Sequence, residues 1–231
     1  MAHPFVLSPF DGDAYLAYLT TGERFYLVQV AGEVIELLGQ DHMADSSDEE
    51  EQQDVSGAPK VRVPDLPQLN RVLAGLSGEP FIDVPTDPAV RRLVPDASLD
   101  PEVAAEFRKF TDGDIREAKV SRLVAFAGQL MEAEPSSDED KHVEWAVTRA
   151  DCADVAMTLT DMRLVLAERL DLVDDEASDA LGDFLMEQQD IDDLDPDDER
   201  RYVLGMLYML CGYLQESLVE CMLSDDRTVG E

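Results

Sequence analysis

Apolar positions recur at helical spacing through most of the chain. In GERFYLVQVAGEVIELLG, Phe25, Leu27, Val28, Ala31, Val34, Ile35 and Leu38 form one stripe, and Gly39 is placed to end the helix. The β-branched content leaves a strand over 24–30 as the alternative. Asp65 is placed to cap a helix over 66–76, with Pro67 in its first turn. Phe81 to Pro85 is a Pro-bounded connector. Asp87-Pro88 opens a short helix to about Val94, and Asp100-Pro101 opens another over PEVAAEFRKF. A separate helix follows, with Ile115, Val120, Leu123, Val124, Ala127 and Leu130 on its apolar stripe and Thr111 or Asp114 as its cap. Asp151 should cap a helix to about Leu170, with Val155, Ala156, Leu159, Met162, Leu166 and Leu170 on one face. The last helix runs from about Asp198 to Leu223. Its centre is apolar almost all round, which predicts the central buried helix. Only the start breaks this rhythm: FVLSP and AYLAYLT flank Asp11-Gly12-Asp13, the pattern of a small hairpin. The expected fold is mainly α: a packed helical bundle with a small N-terminal β-hairpin and acidic disordered inserts, in one domain over 1–231.

Composition explains the inserts. The chain has 231 residues, and its 52 acids against 18 Lys and Arg leave a net charge of −34. An apolar share of 45% still excludes a chain that is acidic tail throughout. Residues 41–54 hold seven acids, 134–140 four and 171–199 fourteen, together 25 of the 52. The first run has no apolar periodicity to offset its ordering entropy, so 41–60 reads as a disordered acidic linker. The stretch 171–199 reads as an acidic insert in which Ala180, Leu181, Phe184, Leu185 and Ile191 suffice for a short amphipathic helix. This charge opposes direct binding to nucleic acids and to anionic membranes. The longest mostly apolar run, 202–214, has 13 residues where a bilayer span needs about 20. The N-terminus MAHPFVLSPFDGD lacks a basic start and an apolar h-region, so a cytoplasmic, reducing location is expected.

Candidate chemistry is sparse. His3, His42 and His142 show no metal-ligand spacing, and neither a phosphate-binding Gly-rich loop nor GxSxG is present. DDLDPDDE (192–199) lacks the glycine and the terminal Glu of a calcium loop. The expectation is a non-enzymatic protein with no cofactor and no metal. Cys152, Cys211 and Cys221 are the redox candidates. Cys211 and Cys221 lie ten residues apart on one helix, about 15 Å along its axis, so an intact helix cannot bridge them. Cys152 could face either one if the two long helices pack antiparallel. Otherwise all three are small buried apolar groups. Asp161, Arg163, Arg169, Gln215 and Glu216 interrupt the two most apolar helices. A guanidinium is seldom buried without a carboxylate, so Arg163 or Arg169 is expected to pair with Glu216 or Asp161 across the helices. The alternative has Arg163 and Arg169 facing a small-molecule pocket. EFRKFTDGDIREAKVSRL (106–123) holds five of the 18 basic residues interleaved with four acids, and reads as a solvated face or a docking surface for the acidic loops.

Four segments together resemble a known family. DPAVRRLVPDA (87–97), EFRKFTDGDIREAKVSRL (106–123), LTDMRLVLAERL (159–170) and LCGYLQESLV (210–219), in this order, are similar to the actinobacterial AosR-like oxidative-stress regulators, long catalogued as a domain of unknown function. The likeness covers about 85–223 well and 10–40 more weakly. It implies a cytoplasmic, non-enzymatic regulator that senses redox state through thiols. Such a regulator acts on stress transcription through a sigma factor or RNA polymerase. Family genes often neighbour that of a Clp-protease adaptor, so an accessory role in Clp-dependent proteolysis is the alternative. The family's sensing idea places two cysteines about one helical turn apart. Here no Cys-x-x-x-Cys exists, so sensing uses Cys152 with a later cysteine, or this member does not sense by a disulfide. The expected partner is a protein, with no direct nucleic acid and no membrane, and the chain is a monomer or a homodimer.

Overall fold

A computed structural model of the chain describes residues 2–9, 12–43, 84–132, 141–188 and 194–228. Among them are three strands and six helices: β1 (His3–Leu7), β2 (Ala14–Leu19), α1 (Thr21–Met43), α2 (Pro88–Leu93), α3 (Pro101–Glu132), β3 (Val143–Thr148), α4 (Cys152–Arg169), α5 (Asp175–Glu187) and α6 (Pro196–Thr228). The fold is mainly α. From residue 44 on, the expected linker 41–60 lies outside the described residues, as do the expected helix over 66–76, Phe81 to Asp83 and the acids at 134–140.

The helices start where short polar side chains can take up their free N–H groups. Thr20 and Glu23 form a reciprocal capping box: Glu23 N–H donates to Thr20 Oγ1 (3.2 Å) and Thr20 N–H to Glu23 Oε2 (2.9 Å). Asp87 accepts from Ala89 N–H (2.8 Å), Asp100 from Glu102 N–H (2.9 Å), Asp174 from Ala177 N–H (2.9 Å), and Asp195 from Asp197 and Asp198 N–H (both 3.0 Å). Proline follows three of these aspartates, at Pro88, Pro101 and Pro196, where its missing N–H costs nothing. Asp151 sits at the N-cap of α4 but makes no cap hydrogen bond, because its carboxylate accepts from Thr148 Oγ1 (2.8 Å).

Several expected boundaries move. α1 continues past Gly39 to Met43. A mid-helix glycine costs only about 1 kcal/mol, and buried Ile35, Leu37 and Leu38 hold that part of the helix. The two helices expected over 101–132 are one. Thr111 does not cap; its hydroxyl bonds back to the Phe107 carbonyl (2.9 Å) inside α3. The acidic stretch 171–199 contains α5 and the first turn of α6, so much of this insert is regular helix.

The chain divides into two compact units, 1–27 with 128–231, and 28–127. In the first unit the expected hairpin gains a third strand. The sheet order is β1-β2-β3, all antiparallel, with Ala17 opposite Trp145 and Tyr15 opposite Val147. β3 alternates, burying Trp145 and Val147 and exposing Glu144, Ala146 and Thr148. α6 packs on β1, and among the described residues the α4–α6 seam is an extensive helix contact. α5 joins them through a cluster of Ala167, Leu170, Leu172 and Leu181, against which Leu204 and Tyr208 pack. Here Gly205 of α6 lies close against α5: a Cβ there would stand 2.9 Å from Leu181 Cδ1, and that side chain would have to shift. Asp171 turns the chain out of α4 with φ 58°, and Leu172 N–H closes back onto the Ala167 carbonyl (2.9 Å).

The second unit corrects the reading of 106–123 as solvated charge. Arg108, Asp112 and Arg116 recur every four residues along one face of α3, and all three are buried. Arg108 pairs with Asp96. Arg116 has no accessible surface and donates through Nη1 to the Leu38 carbonyl of α1 (2.7 Å).

Candidate functional site

The α4–α6 seam gathers most of the residues singled out in the sequence. Ala167 and Leu170, late in α4, belong to the cluster that receives Leu204 and Tyr208, early in α6. Thr160 and Arg163, further back, reach Gln215. The two helices are therefore antiparallel, with Cys152 and Cys221 toward the same end. Arg163 donates to Gln215 Oε1 (2.9 Å) and to the Tyr208 hydroxyl (3.4 Å), and its guanidinium lies 5.1 Å from the Tyr208 ring centroid. The partner across the seam is thus the neutral Gln215 and an aromatic face. Glu216 next to it is exposed. Asp161 is buried, and Arg169 is exposed in the last turn of α4, where a cation suits the helix C-terminus. Tyr208 carried no signal in the sequence beyond being an aromatic residue within an apolar helix. Arg163 lines a shallow recess of about 510 Å³ with Gln215 and Glu216, and Arg169 is not part of it.

Each thiol has its own environment, and none of the three is in a disulfide. Cys152 donates to the Arg149 carbonyl just past β3 (3.0 Å), and Cys221 to the Phe5 carbonyl on β1 (3.2 Å). β2 separates those strands, and the register offsets Phe5 from Arg149 along them, so the two anchoring carbonyls are more than about 10 Å apart. A sulfur–sulfur bond of about 2 Å between them requires the backbone to move. Ser217, unremarked in the sequence, fastens the same corner: its hydroxyl accepts from Phe5 N–H (3.1 Å) and donates to the Leu214 carbonyl (3.1 Å).

Burial decides the thiol chemistry. Cys211 is fully buried, and burial pushes its pKa up to about 12, with Arg163 pulling weakly the other way. Burial also raises Cys152. Neither is poised as a thiolate near neutral pH. An acid with a higher pKa in the folded chain keeps a proton that the unfolded chain releases. Its stabilising effect is complete below the unfolded value of about 8.5 and is lost as pH rises toward 12. Urea melts at pH 8 and pH 10.5 are expected to differ by about 2 kcal/mol more in the wild type than in Cys211→Ala. Equal alkaline losses in both proteins would refute this environment for Cys211.

Another open concavity lies elsewhere on α6. A groove of about 580 Å³ runs between that helix and the start of α1, lined mainly by Tyr26, Val203, Met206, Met209, Leu210 and Tyr213. Glu23 is its one carboxylate. The expectation of a helix buried on all sides is corrected here. Leu207, Cys211, Leu214 and Leu218 form the buried face, while Met209 and Tyr213 keep 50% and 44% of their surface in water. Nothing in the described residues covers that second face. The signal was present as apolar residues beyond the one stripe that a core contact needs, but their number alone does not say which stripe stays bare. Among the described residues no cluster of His, Cys, Asp and Glu could hold a metal ion, and no helix is long and apolar enough to cross a membrane.

One family model matches residues 2–222, that of a domain of unknown function, DUF2017. The chain belongs to the DUF2017 family. The match takes in every strand and all of the helices except the last residues of α6, so the seam, the three cysteines and the groove all lie within the DUF2017 domain. No curated protein and no solved structure matches the chain. The DUF2017 description names no activity and no ligand.

Proposed function

We propose that this DUF2017 protein is a non-enzymatic cytoplasmic regulator that works by touching other proteins, modulating stress transcription through a sigma factor or RNA polymerase, as its likeness to the AosR-like regulators implies. The observation that carries the protein-contact part is the bare apolar face of α6. Its groove has tyrosines and methionines as walls and a single carboxylate, Glu23, so no set of ionisable groups converges in it for acid–base or nucleophilic work. The net charge of −34 favours a partner with basic surfaces, which sigma factors and polymerase carry for nucleic acid. Redox input would enter through Cys221, the one cysteine that is only half-buried.

A pull-down with the full chain, from reduced and from peroxide-treated lysate, tests this reading. Polymerase or sigma subunits are expected in the eluate, with an amount that changes on oxidation and no longer changes in Cys221→Ser. Clp components in their place would move the protein to proteolysis. Equal capture in both lysates would remove the redox arm.

A further inference from the structure

We propose that the α6 groove seats a cationic amphipathic helix of a partner protein, an inference that rests on the protein-contact reading above and names the partner's chemistry. Val203, Met206, Leu210 and Tyr213 line the groove at spacings of three and four, the period of one helix face. From Tyr202 to Tyr213 the floor extends about 16 Å, the length of a three-turn helix. An apolar trough of that length is what a helix-in-groove contact uses. Met206 and Met209 can re-pack around an incoming side chain, and Tyr26, Tyr202 and Tyr213 offer the large amphipathic surfaces typical of binding anchors.

Charge selects the occupant. Glu23 lines the groove, and Glu216 lines the adjoining recess, which shares Met209 and Tyr213 with it. Asp197, Asp198 and Glu199 occupy the first turn of α6. Two of the nearby cations are engaged elsewhere: Arg201 lies over the Phe184 ring at 5.6 Å, and Arg163 is held by Gln215 and Tyr208. A partner therefore meets an apolar floor with an acidic surround. A second copy of a chain with net charge −34 would set like charges against one another, whereas Lys or Arg flanking an apolar stripe would meet opposite charge.

The test uses the full chain and two labelled three-turn peptides followed by fluorescence anisotropy. One is a Leu/Lys amphipathic helix and the other its Leu/Glu twin. The Leu/Lys peptide is expected to bind, more weakly at high salt, and the twin is not. Met209→Glu and Tyr213→Glu alter exposed positions, so the fold should survive, as circular dichroism will report. Each adds negative charge, which would tighten mere electrostatic adhesion. Groove binding predicts the opposite, a loss of about tenfold or more. Unchanged or tighter binding by these variants overturns the proposal, and so does equal binding of the twin. A concentration-dependent dimer in sedimentation that Met209→Glu abolishes overturns it in favour of a second copy. If the groove variants still capture polymerase or Clp subunits as the wild type does, the groove inference falls while the protein-contact reading stands.

Discussion

Arg116→Leu is expected to lower the stability of the chain by about 3 kcal/mol or more, the largest loss foreseen for any exchange of a charged residue here. The guanidinium has no accessible surface, and it supplies a hydrogen bond to the backbone carbonyl of Leu38, 78 residues away in the chain. Leucine occupies part of the space but donates nothing. It leaves a buried carbonyl that has lost a charge-assisted donor. Arg116→Lys should recover only part of the loss, because an ammonium cannot reproduce the planar fork. Urea denaturation followed by far-UV circular dichroism measures both variants. A midpoint for Arg116→Leu within error of the wild type would show that this arginine does not hold the second unit together.

Trp145→Ala should cost about 3–5 kcal/mol, from lost transfer free energy and the cavity left behind. Trp145 is among the largest fully covered side chains. Its ring meets Phe5 at 5.1 Å, and it stands opposite Ala17 in the register of β2 and β3. The effect spreads because Phe5 is also where β1 is fastened to α6, through Ser217 and the Cys221 thiol. A looser Phe5 weakens the seat of β1 as well as that of β3. Trp145 is the chain's single tryptophan, so intrinsic fluorescence follows this corner in the wild type, and circular dichroism must follow the variant. If the variant melts with the wild type, β3 is an ornament on the hairpin.

Much of the helical layout was legible because helix starts are local events. Asp87-Pro88 and Asp100-Pro101 announce α2 and α3 through an acceptor for free N–H groups and a residue that needs none. The last helix was legible too, although its start is Pro196, two residues before the expected Asp198, because the cap is Asp195. β3 was not read. It is six residues long, and alternation over so short a run is a weak signal until a strand stands beside it. The break expected at Thr111 failed because a hydroxyl can bond back into its own helix as readily as it can cap the next one. In the candidate site, the expectation paired Arg163 or Arg169 with Glu216 or Asp161, whereas Arg163 donates to Gln215 and Tyr208. Tyr208 and the neutral character of the contact depended on rotational phase about α6, which spacing leaves open to within a residue.

From the order of its residues alone the chain determined its helix openings, its mainly α character and its anionic exterior, since each follows from neighbours within a few positions or from a simple count. The tertiary structure alone decided which charges go inside, which thiols are shut away and which face of α6 is left bare. Those outcomes depend on groups far apart in the chain, such as Phe5 and Ser217, separated by 212 positions, and burial is a property of what arrives from elsewhere.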